Sequence, residues 1–200
     1  QKLKDNDPLN YVDEIYQSFL KQPLKQTGGL TAARYFDNLS GGQAVDMLIE
    51  YNRQNITVPT PLIDRLGRKS EEGNLLNLLS KKINEELIIL AANLLEEAES
   101  TAHTGIMAEI MLDGSFNKDL RDFAAEILIS HISEAAKLLI DKISYDAGEN
   151  DMYIADVLVY HKGEDRVYKL LEKLFLSGKN NPLYAAYLGM YEDERALPLL

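Results

Sequence analysis

Three histidines are the residues of this sequence best suited to bind a metal ion or to transfer a proton. They are His103, His131 and His161, and the absence of cysteine excludes disulfides and thiolate metal ligands. His131 and His161 are 30 positions apart. At equivalent positions of stacked helical layers they would lie about 10 Å apart, which is too far to share a metal ion. We therefore interpret the histidines as turn or cap residues and predict no metal site and no cofactor.

A loop rich in side-chain oxygens is the second candidate for chemistry. Asp146, Glu149, Asn150 and Asp151 lie close together, and such oxygens are ligands for calcium. The stretch lacks the alternating Asp/Asn spacing of a calcium-binding hairpin, and we assign Asn150 to a helix cap. Ser, His and Asp occur elsewhere without the local pattern of an activated nucleophile, and no carboxylate pair shares an enclosed cleft. The sequence therefore predicts no catalytic residue.

Two glycine pairs, Gly28-Gly29 and Gly41-Gly42, invite comparison with phosphate-binding loops. Neither pair is followed by Lys and Ser or Thr, and neither follows a strand pattern. Ser40 with Gln43 three residues later fits a capping box at the start of a helix instead. We interpret the glycines as turn and helix-start residues.

The elements that would position these residues repeat with a period of about 30 residues. A first slot combines small Ala with a large apolar residue three or four positions later, which is helical spacing. A second slot of paired aliphatic residues follows about half a repeat later. The first slot occupies residues 32–36, 62–66, 91–95, 124–128, 154–158 and 184–188, and the second 48–49, 78–79, 110–111, 138–139, 170–171 and 199–200.

Six units with two apolar helices each predict a helical-hairpin array. A single hairpin of this length cannot bury its apolar face and needs neighbours on both sides. Packing is expected to be close where the first slot carries Ala. We therefore expect Ala125→Leu and Ala155→Leu to destabilise the protein.

These units resemble HEAT repeats, in the short form of the phycobilisome-lyase-like branch, and two of them are the closest matches. The resemblance rests on Gly163-Glu-Asp-Arg-Val-Tyr-Lys-Leu-Leu171 and Glu192-Asp-Glu-Arg-Ala-Leu-Pro-Leu-Leu200, which share an acidic turn, an Arg and a Leu-Leu pair. It covers roughly residues 30–200. It implies an all-α fold, an elongated and curved α-α superhelix (solenoid) of about six stacked hairpins. The family consists mostly of scaffolds and adaptors, with a minority of enzymes.

The chain is expected to form one solenoid domain over residues 1–200. Residues 1–29 are assigned to an N-terminal cap, whose helix begins at Asp7-Pro8 and ends near Leu20, because Asp followed by Pro is a helix start signal. Residues 30–200 carry the repeats. The last unit stops within its predicted second helix, which is typical of a segment of a longer solenoid.

The charge of the sequence is concentrated in its middle. Residues 84–156 hold 16 Asp or Glu against 4 Lys or Arg, whereas the rest of the chain is nearly neutral. An acidic middle repels nucleic acid and anionic membranes and attracts a basic partner. The longest near-apolar run, Leu87–Leu95, is shorter than the roughly 20 residues of a membrane span. We expect a cytoplasmic protein that binds neither nucleic acid nor membrane.

These observations favour a non-enzymatic scaffold or adaptor that binds a protein or a basic peptide. The alternatives are a HEAT-like enzyme of the lyase or DNA glycosylase type and a structural segment of a longer solenoid. In HEAT-like arrays the second helix of each hairpin lines the concave face, and Tyr is a preferred interface anchor. The resemblance therefore predicts a partner-binding groove that exposes Glu134, Lys137, Tyr168 and Glu172. Arg166 and Arg195 occupy matching positions, and we assign them to a ladder with Asp165 and Asp193.

Overall fold

The computed structural model describes residues 14–16 and 18–200, and they fold as an all-α protein. No β-strand forms among these residues, which hold one isolated antiparallel bridge between Leu24 and Leu30. Residues 14–16 and 18–20 are helical, and the predicted helix start at Asp7-Pro8 lies outside the described part. The α-helices that follow are α1 (Ala32–Asp37), α2 (Gly41–Arg53), α3 (Thr60–Leu66), α4 (Glu72–Ser80), α5 (Glu85–Glu97), α6 (Thr104–Leu112), α7 (Lys118–Ser130), α8 (Ile132–Leu139), α9 (Glu149–Leu158), α10 (Asp165–Leu176) and α11 (Asn181–Tyr191).

The two slots of the repeat fall on alternate helices. Every first-slot segment lies in an odd-numbered helix, from α1 to α11, and the first five second-slot pairs lie in the even-numbered helices α2 to α10. Most slot residues are buried, because the apolar positions recur at helical spacing. Leu138 is an exception: its side chain is exposed, whereas Leu139 beside it is buried.

Local sequence signals explain where the helices begin. Ser40 and Gln43 form the predicted capping box at the start of α2, each side chain accepting a hydrogen bond from the other residue's backbone N–H. Asn84 and Asn117 are single N-caps of α5 and α7: their side-chain oxygens accept from the backbone N–H of Leu87 and Leu120, each at 2.9 Å.

The chain divides into two compact units, Gln1–Ser100 and Thr101–Leu200. In the first unit α1 packs on α3, α2 packs on α3, α4 and α5, and α4 packs on α5. In the second unit α6 packs on α7, α8 and α9, and α7 packs on α8 and α9. There α9 also packs on α8 and α10, and α10 packs on α11. Neighbouring helices of the same slot therefore pack on each other in four cases: α1 on α3, α2 on α4, α6 on α8 and α7 on α9.

A buried ion pair joins α3 to the 3-10 turn Lys69–Glu71 that precedes α4. Arg65 on α3 lies 2.5 Å from the carboxylate of Glu71, and both side chains are mostly buried. Burial raises the pKa of Glu71, but the hydrogen bond and charge of Arg65 outweigh it and hold this pKa below its ordinary value. The Glu71 carboxylate also lies against the start of α2, where a helix N-terminus favours an anion. This arrangement assigns Gly41 to packing and not to a phosphate loop.

Gly41→Ala should destabilise the protein, whereas Gly42→Ala should not. A Cβ at residue 41 would overlap the side-chain ends of Glu71 and Asn74, which the Arg65 ion pair holds in place. Displacing a buried hydrogen-bonded carboxylate costs on the order of 1 kcal/mol or more. A Cβ at residue 42 meets no atom within 4 Å, and Ala is the better helix former by about 0.5–1 kcal/mol. Thermal melts of both variants test this, and equal melting temperatures would contradict it.

The oxygen-rich loop of the second unit is occupied by internal hydrogen bonds. Buried Asp151 accepts from the backbone N–H of Ser144 at 3.0 Å and of Ala147 at 3.1 Å, which closes the turn before α9. Asp146 accepts from the N–H of Gly148 at 2.6 Å, and this bond holds its pKa below the usual range. The cap of α9 is Gly148, so the cap predicted at Asn150 is wrong: Asn150 lies in the first turn of the helix.

The end of the sixth unit differs from the prediction. The second slot of this unit was expected to form a helix over residues 195–200. Instead a 3-10 turn forms at Glu194–Ala196, and the last residues form turns. The Asp193 carboxylate accepts from the Arg195 N–H at 3.0 Å and fixes this turn.

Candidate functional site

The four predicted partner-binding residues lie on two helices of the second unit. Glu134 and Lys137 are on α8, where Glu134 is half-buried and Lys137 is exposed. Tyr168 and Glu172 are one turn apart on α10, and Glu172 is half-buried. Three of the four therefore keep some access to solvent.

Tyr168 is buried, and the predicted exposure of this residue is wrong. Its side chain is 3% exposed, and the Arg195 guanidinium lies 3.9 Å from the centre of its ring. Its hydroxyl donates to the Glu172 carboxylate at 3.3 Å. Burial, followed by the Glu172 charge, raises the pKa of Tyr168. Arg195, in the 3-10 turn Glu194–Ala196, covers the Tyr168 ring, and Tyr168 therefore serves the fold.

The predicted arginine ladder is present for Arg195 and has a different partner for Arg166. Arg195 lies 2.6 Å from the carboxylate of Asp165 and 2.7 Å from that of Asp193. The hydrogen bonds from Arg195 lower the pKa of Asp193 to about 2. Arg166 pairs with Asp141 of the preceding repeat at 2.7 Å, and not with Asp165. Each arginine pairs with an aspartate of the preceding repeat, and we assign both arginines a structural role.

The solvent-facing part of α10 carries charges of both signs. Asp165, Lys169, Lys173 and Leu176 are exposed on this helix, and Lys169 pairs with Asp165 at 2.6 Å. Between residues 160 and 180 the sequence holds five Lys or Arg and three Asp or Glu. The excess of acidic residues found over residues 84–156 therefore does not continue along α10.

A concave apolar cleft lies in the first unit, and no sequence pattern indicated it. It encloses about 500 Å³, a volume within the range of roughly 300–1,000 Å³ that is usual for ligand pockets. Its walls come from the N-terminal helical residues, from α1 and α2, and from the extended segment before α3. The lining residues are Tyr16, Phe19, Leu20, Leu24, Thr27, Ala32, Tyr35, Phe36, Met47, Tyr51, Thr57, Val58, Pro59 and Thr60.

The lining of the cleft is aromatic and carries no charged side chain. Five of the 14 residues are Tyr or Phe, and the polar groups are Thr and Tyr hydroxyls and backbone. Tyr35 and Phe36 pack edge to face with ring centres 5.4 Å apart. Phe36 is buried, whereas 47% of Phe19 remains exposed at the rim. Burying an unpaired charge in such a cleft would cost several kcal/mol, so its chemistry selects an uncharged apolar group.

Local hydrogen bonds shape one wall of the cleft. The Leu24 N–H donates to the Leu30 carbonyl at 3.1 Å, which closes the turn that contains the glycine pair Gly28-Gly29. The Thr27 hydroxyl lies 2.9 Å from the Leu24 carbonyl and 2.6 Å from the Leu30 carbonyl inside this turn. Both glycines have positive φ, which explains their residue type. The pair therefore supports a cleft wall and does not bind phosphate through a helix start.

A pair of histidines comes together in the second unit. His103 directly precedes α6 and His131 directly precedes α8, and their ring centres are 5.6 Å apart with planes at 85°. His103 is completely buried and His131 is partly exposed. The sequence led us to compare His131 with His161 and not with His103. The available signal was the separation of His103 and His131 by 28 positions, which equals that of Ile110 and Leu138 in the second slot.

A tyrosine–aspartate ladder joins the odd-numbered helices of the second unit. The Tyr153 hydroxyl on α9 donates to Asp122 on α7 at 3.2 Å, and the Tyr187 hydroxyl on α11 donates to Asp156 on α9 at 2.9 Å. Burial raises the pKa of Asp156, and the Asp122 charge adds to the rise, whereas the Tyr187 hydrogen bond opposes it. Burial and the Asp156 charge raise the pKa of Tyr187.

Asp156→Asn should gain stability relative to the parent as the pH rises. The folded state binds the Asp156 proton more tightly than the unfolded chain, whose Asp titrates near 3.9. The contribution of the protonated carboxyl is therefore full below about pH 4 and is lost as the pH rises through the folded-state pKa. Asn keeps an acceptor for Tyr187 and does not titrate. Melts at about pH 4 and about pH 7 test this, and a constant difference between the two proteins would contradict it.

No helix among the described residues is long and apolar enough to cross a membrane. Comparison with known proteins gave no match to a family model, a curated protein or a solved structure.

Proposed function

We propose that this chain is a non-enzymatic protein-binding scaffold or adaptor, built as a HEAT-like α-α superhelix. Two observations support this architecture. The two slots of the repeat fall on alternate helices, and neighbouring helices of the same slot pack on each other in four cases. The resemblance of residues 163–171, at the start of α10, to a HEAT repeat adds to these observations.

The uncharged aromatic cleft of the first unit carries the functional part of the proposal. Tyr, Phe and Met are enriched at protein interfaces, where a few buried anchors supply most of the binding energy. The cleft offers Tyr35, Met47 and Tyr51 as partly exposed walls and Phe19 as a rim. The occupant is an extended or helical peptide that inserts an uncharged apolar side chain.

The same lining disfavours an enzyme at this place. General acid–base catalysis needs a group whose pKa lies near the working pH, and metal catalysis needs His, Asp, Glu or Cys ligands. None of these residue types lines the cleft. A binding function needs only apolar area and shape, which the cleft provides.

Selection of peptides from a random displayed library, followed by titration of the enriched sequences, tests the proposal without the natural partner in hand. Two rim variants place opposite charges at the cleft: Phe19→Asp and Thr57→Lys, both at exposed positions. Each should weaken binding at least about tenfold, which corresponds to about 1.4 kcal/mol. Loss with both signs of charge would indicate an apolar anchor. Lys137→Glu on α8 is the matched surface control and should leave the affinity unchanged.

Other outcomes would reassign the site. Weakening by Lys137→Glu and Glu172→Lys, with both rim variants unaffected, would favour the groove predicted from the repeat. Competition by a synthetic peptide of residues 1–13 would show that the cleft accepts a segment of the chain itself. The proposed function of the cleft would be refuted if no enriched peptide bound the parent more tightly than it bound the two rim variants.

A further inference from the structure

The His103–His131 pair has the geometry of two ligands that face one site. One ring nitrogen of His103 and one of His131 lie within 4.8 Å of each other. The ring centres are 5.6 Å apart and the planes are nearly perpendicular.

The fold brings the two rings together through the repeat. Each histidine is the residue immediately before a second-slot helix, and α6 packs on α8 within the second unit. The distance of about 10 Å expected for equivalent positions describes helix axes and not side chains that extend toward each other. The ring separation is accordingly about half the expected value.

The separation of the ring centres is slightly larger than that of two imidazoles sharing one transition-metal ion. A metal–nitrogen bond of about 2.0–2.1 Å places the ion about 3.2 Å from each ring centre, and a tetrahedral angle then separates the ring centres by about 5 Å. The observed 5.6 Å needs only a modestly wider angle or a small ring rotation. Imidazole nitrogen suits zinc, copper, nickel and cobalt better than calcium or magnesium.

We propose that His103 and His131 bind one first-row transition-metal ion, of the zinc class, in the second unit. The burial of His103 fixes one ligand in advance, and the partial exposure of His131 leaves a path for the ion and for water in the remaining coordination positions. The ion joins the starts of α6 and α8 and stabilises their packing. This site is independent of the apolar cleft.

Titration of the full chain with Co²⁺ and Zn²⁺ tests the site. Bound Co²⁺ should give visible absorption bands typical of nitrogen ligation at one equivalent, Zn²⁺ should displace it, and Zn²⁺ should raise the melting temperature. Mg²⁺ should neither displace Co²⁺ nor raise the melting temperature. His131→Gln should weaken Zn²⁺ binding at least tenfold, whereas His161→Gln is the matched control and should bind like the parent.

The comparison of Zn²⁺ binding between the variants remains interpretable even if one variant folds poorly. A metal-free melt of each variant comes first, and His131→Asn replaces His131→Gln if that protein is destabilised. The absence of a one-equivalent transition in the parent would overturn the proposal. So would Zn²⁺ binding that both His131 variants retain, or that His161→Gln weakens equally.

Discussion

Ala155→Leu should lower the free energy of unfolding by about 1–3 kcal/mol, the usual cost of overpacking a well-packed core. Ala155 is completely buried on α9, which packs against α7, α8 and α10. Three additional heavy atoms there must displace at least one neighbouring helix. The related substitution Ala125→Leu on α7 should have a smaller effect, because Ala125 keeps 7% of its surface exposed.

Ala186→Leu is the matched control for this prediction. It makes the same change on α11 at a position that is not buried, where surface substitutions usually alter stability by less than about 0.5 kcal/mol. Urea unfolding of the three variants would measure the differences. Ala155→Leu and Ala186→Leu with equal stability would show that α9 is not closely packed at residue 155.

Arg121→Met should also destabilise the protein by about 1–3 kcal/mol, because it leaves a buried carbonyl without a donor. The carbonyl of Met111 is among the last four of α6, which have no partner inside the helix. Arg121 is buried and donates its Nε–H to this oxygen at 2.8 Å. Its guanidinium also lies 4.1 Å from the centre of the Tyr153 ring. Met fills a similar volume but donates no hydrogen bond.

The variant Glu149→Gln removes the ion pair of Arg121 with Glu149 and keeps the hydrogen bond from Arg121 to the Met111 carbonyl. Glu149 lies 2.7 Å from Arg121, but its side chain is 66% exposed. Exposed pairs contribute only about 0–1 kcal/mol. Thermal melts should therefore show a much smaller loss for Glu149→Gln than for Arg121→Met. A larger loss for Glu149→Gln would assign the role of Arg121 to the ion pair.

Much of the helix order could be predicted, because the buried residues of a helix recur in the sequence as apolar residues at helical spacing. The Ala-rich slot of residues 124–128 and the aliphatic pair at 170–171 each identify a helix by local pattern alone. Capping by Ser40 is equally local, since it depends on a residue three positions away. In the last unit Asp193 caps only the 3-10 turn Glu194–Ala196, whereas the equivalent bond from Arg166 to Glu164 begins the full helix α10, and the local contacts do not explain the difference.

The sites depended on contacts between distant residues, and the periodic pattern does not encode them. Tyr168 has an amphipathic side chain that suits an interface or a core, and only the path of the chain at Arg195 decides between them. The cleft joins Tyr16, Tyr35 and Tyr51 from three separate elements. No repeat period relates these three residues, and Tyr16 precedes the first unit. The His103–His131 pair was missed because His131 was compared with His161, although His103 lies 28 positions before His131.

The proposed peptide-binding cleft is tested most directly by NMR titration of the isotope-labelled chain with an enriched peptide. Chemical-shift changes in backbone amides would identify the surface that the peptide contacts. We predict changes concentrated at Leu20, Tyr35, Met47, Tyr51 and Val58, with α8 and α10 unaffected. Changes concentrated at Lys137, Leu138 and Glu172, with the cleft unaffected, would contradict the proposal.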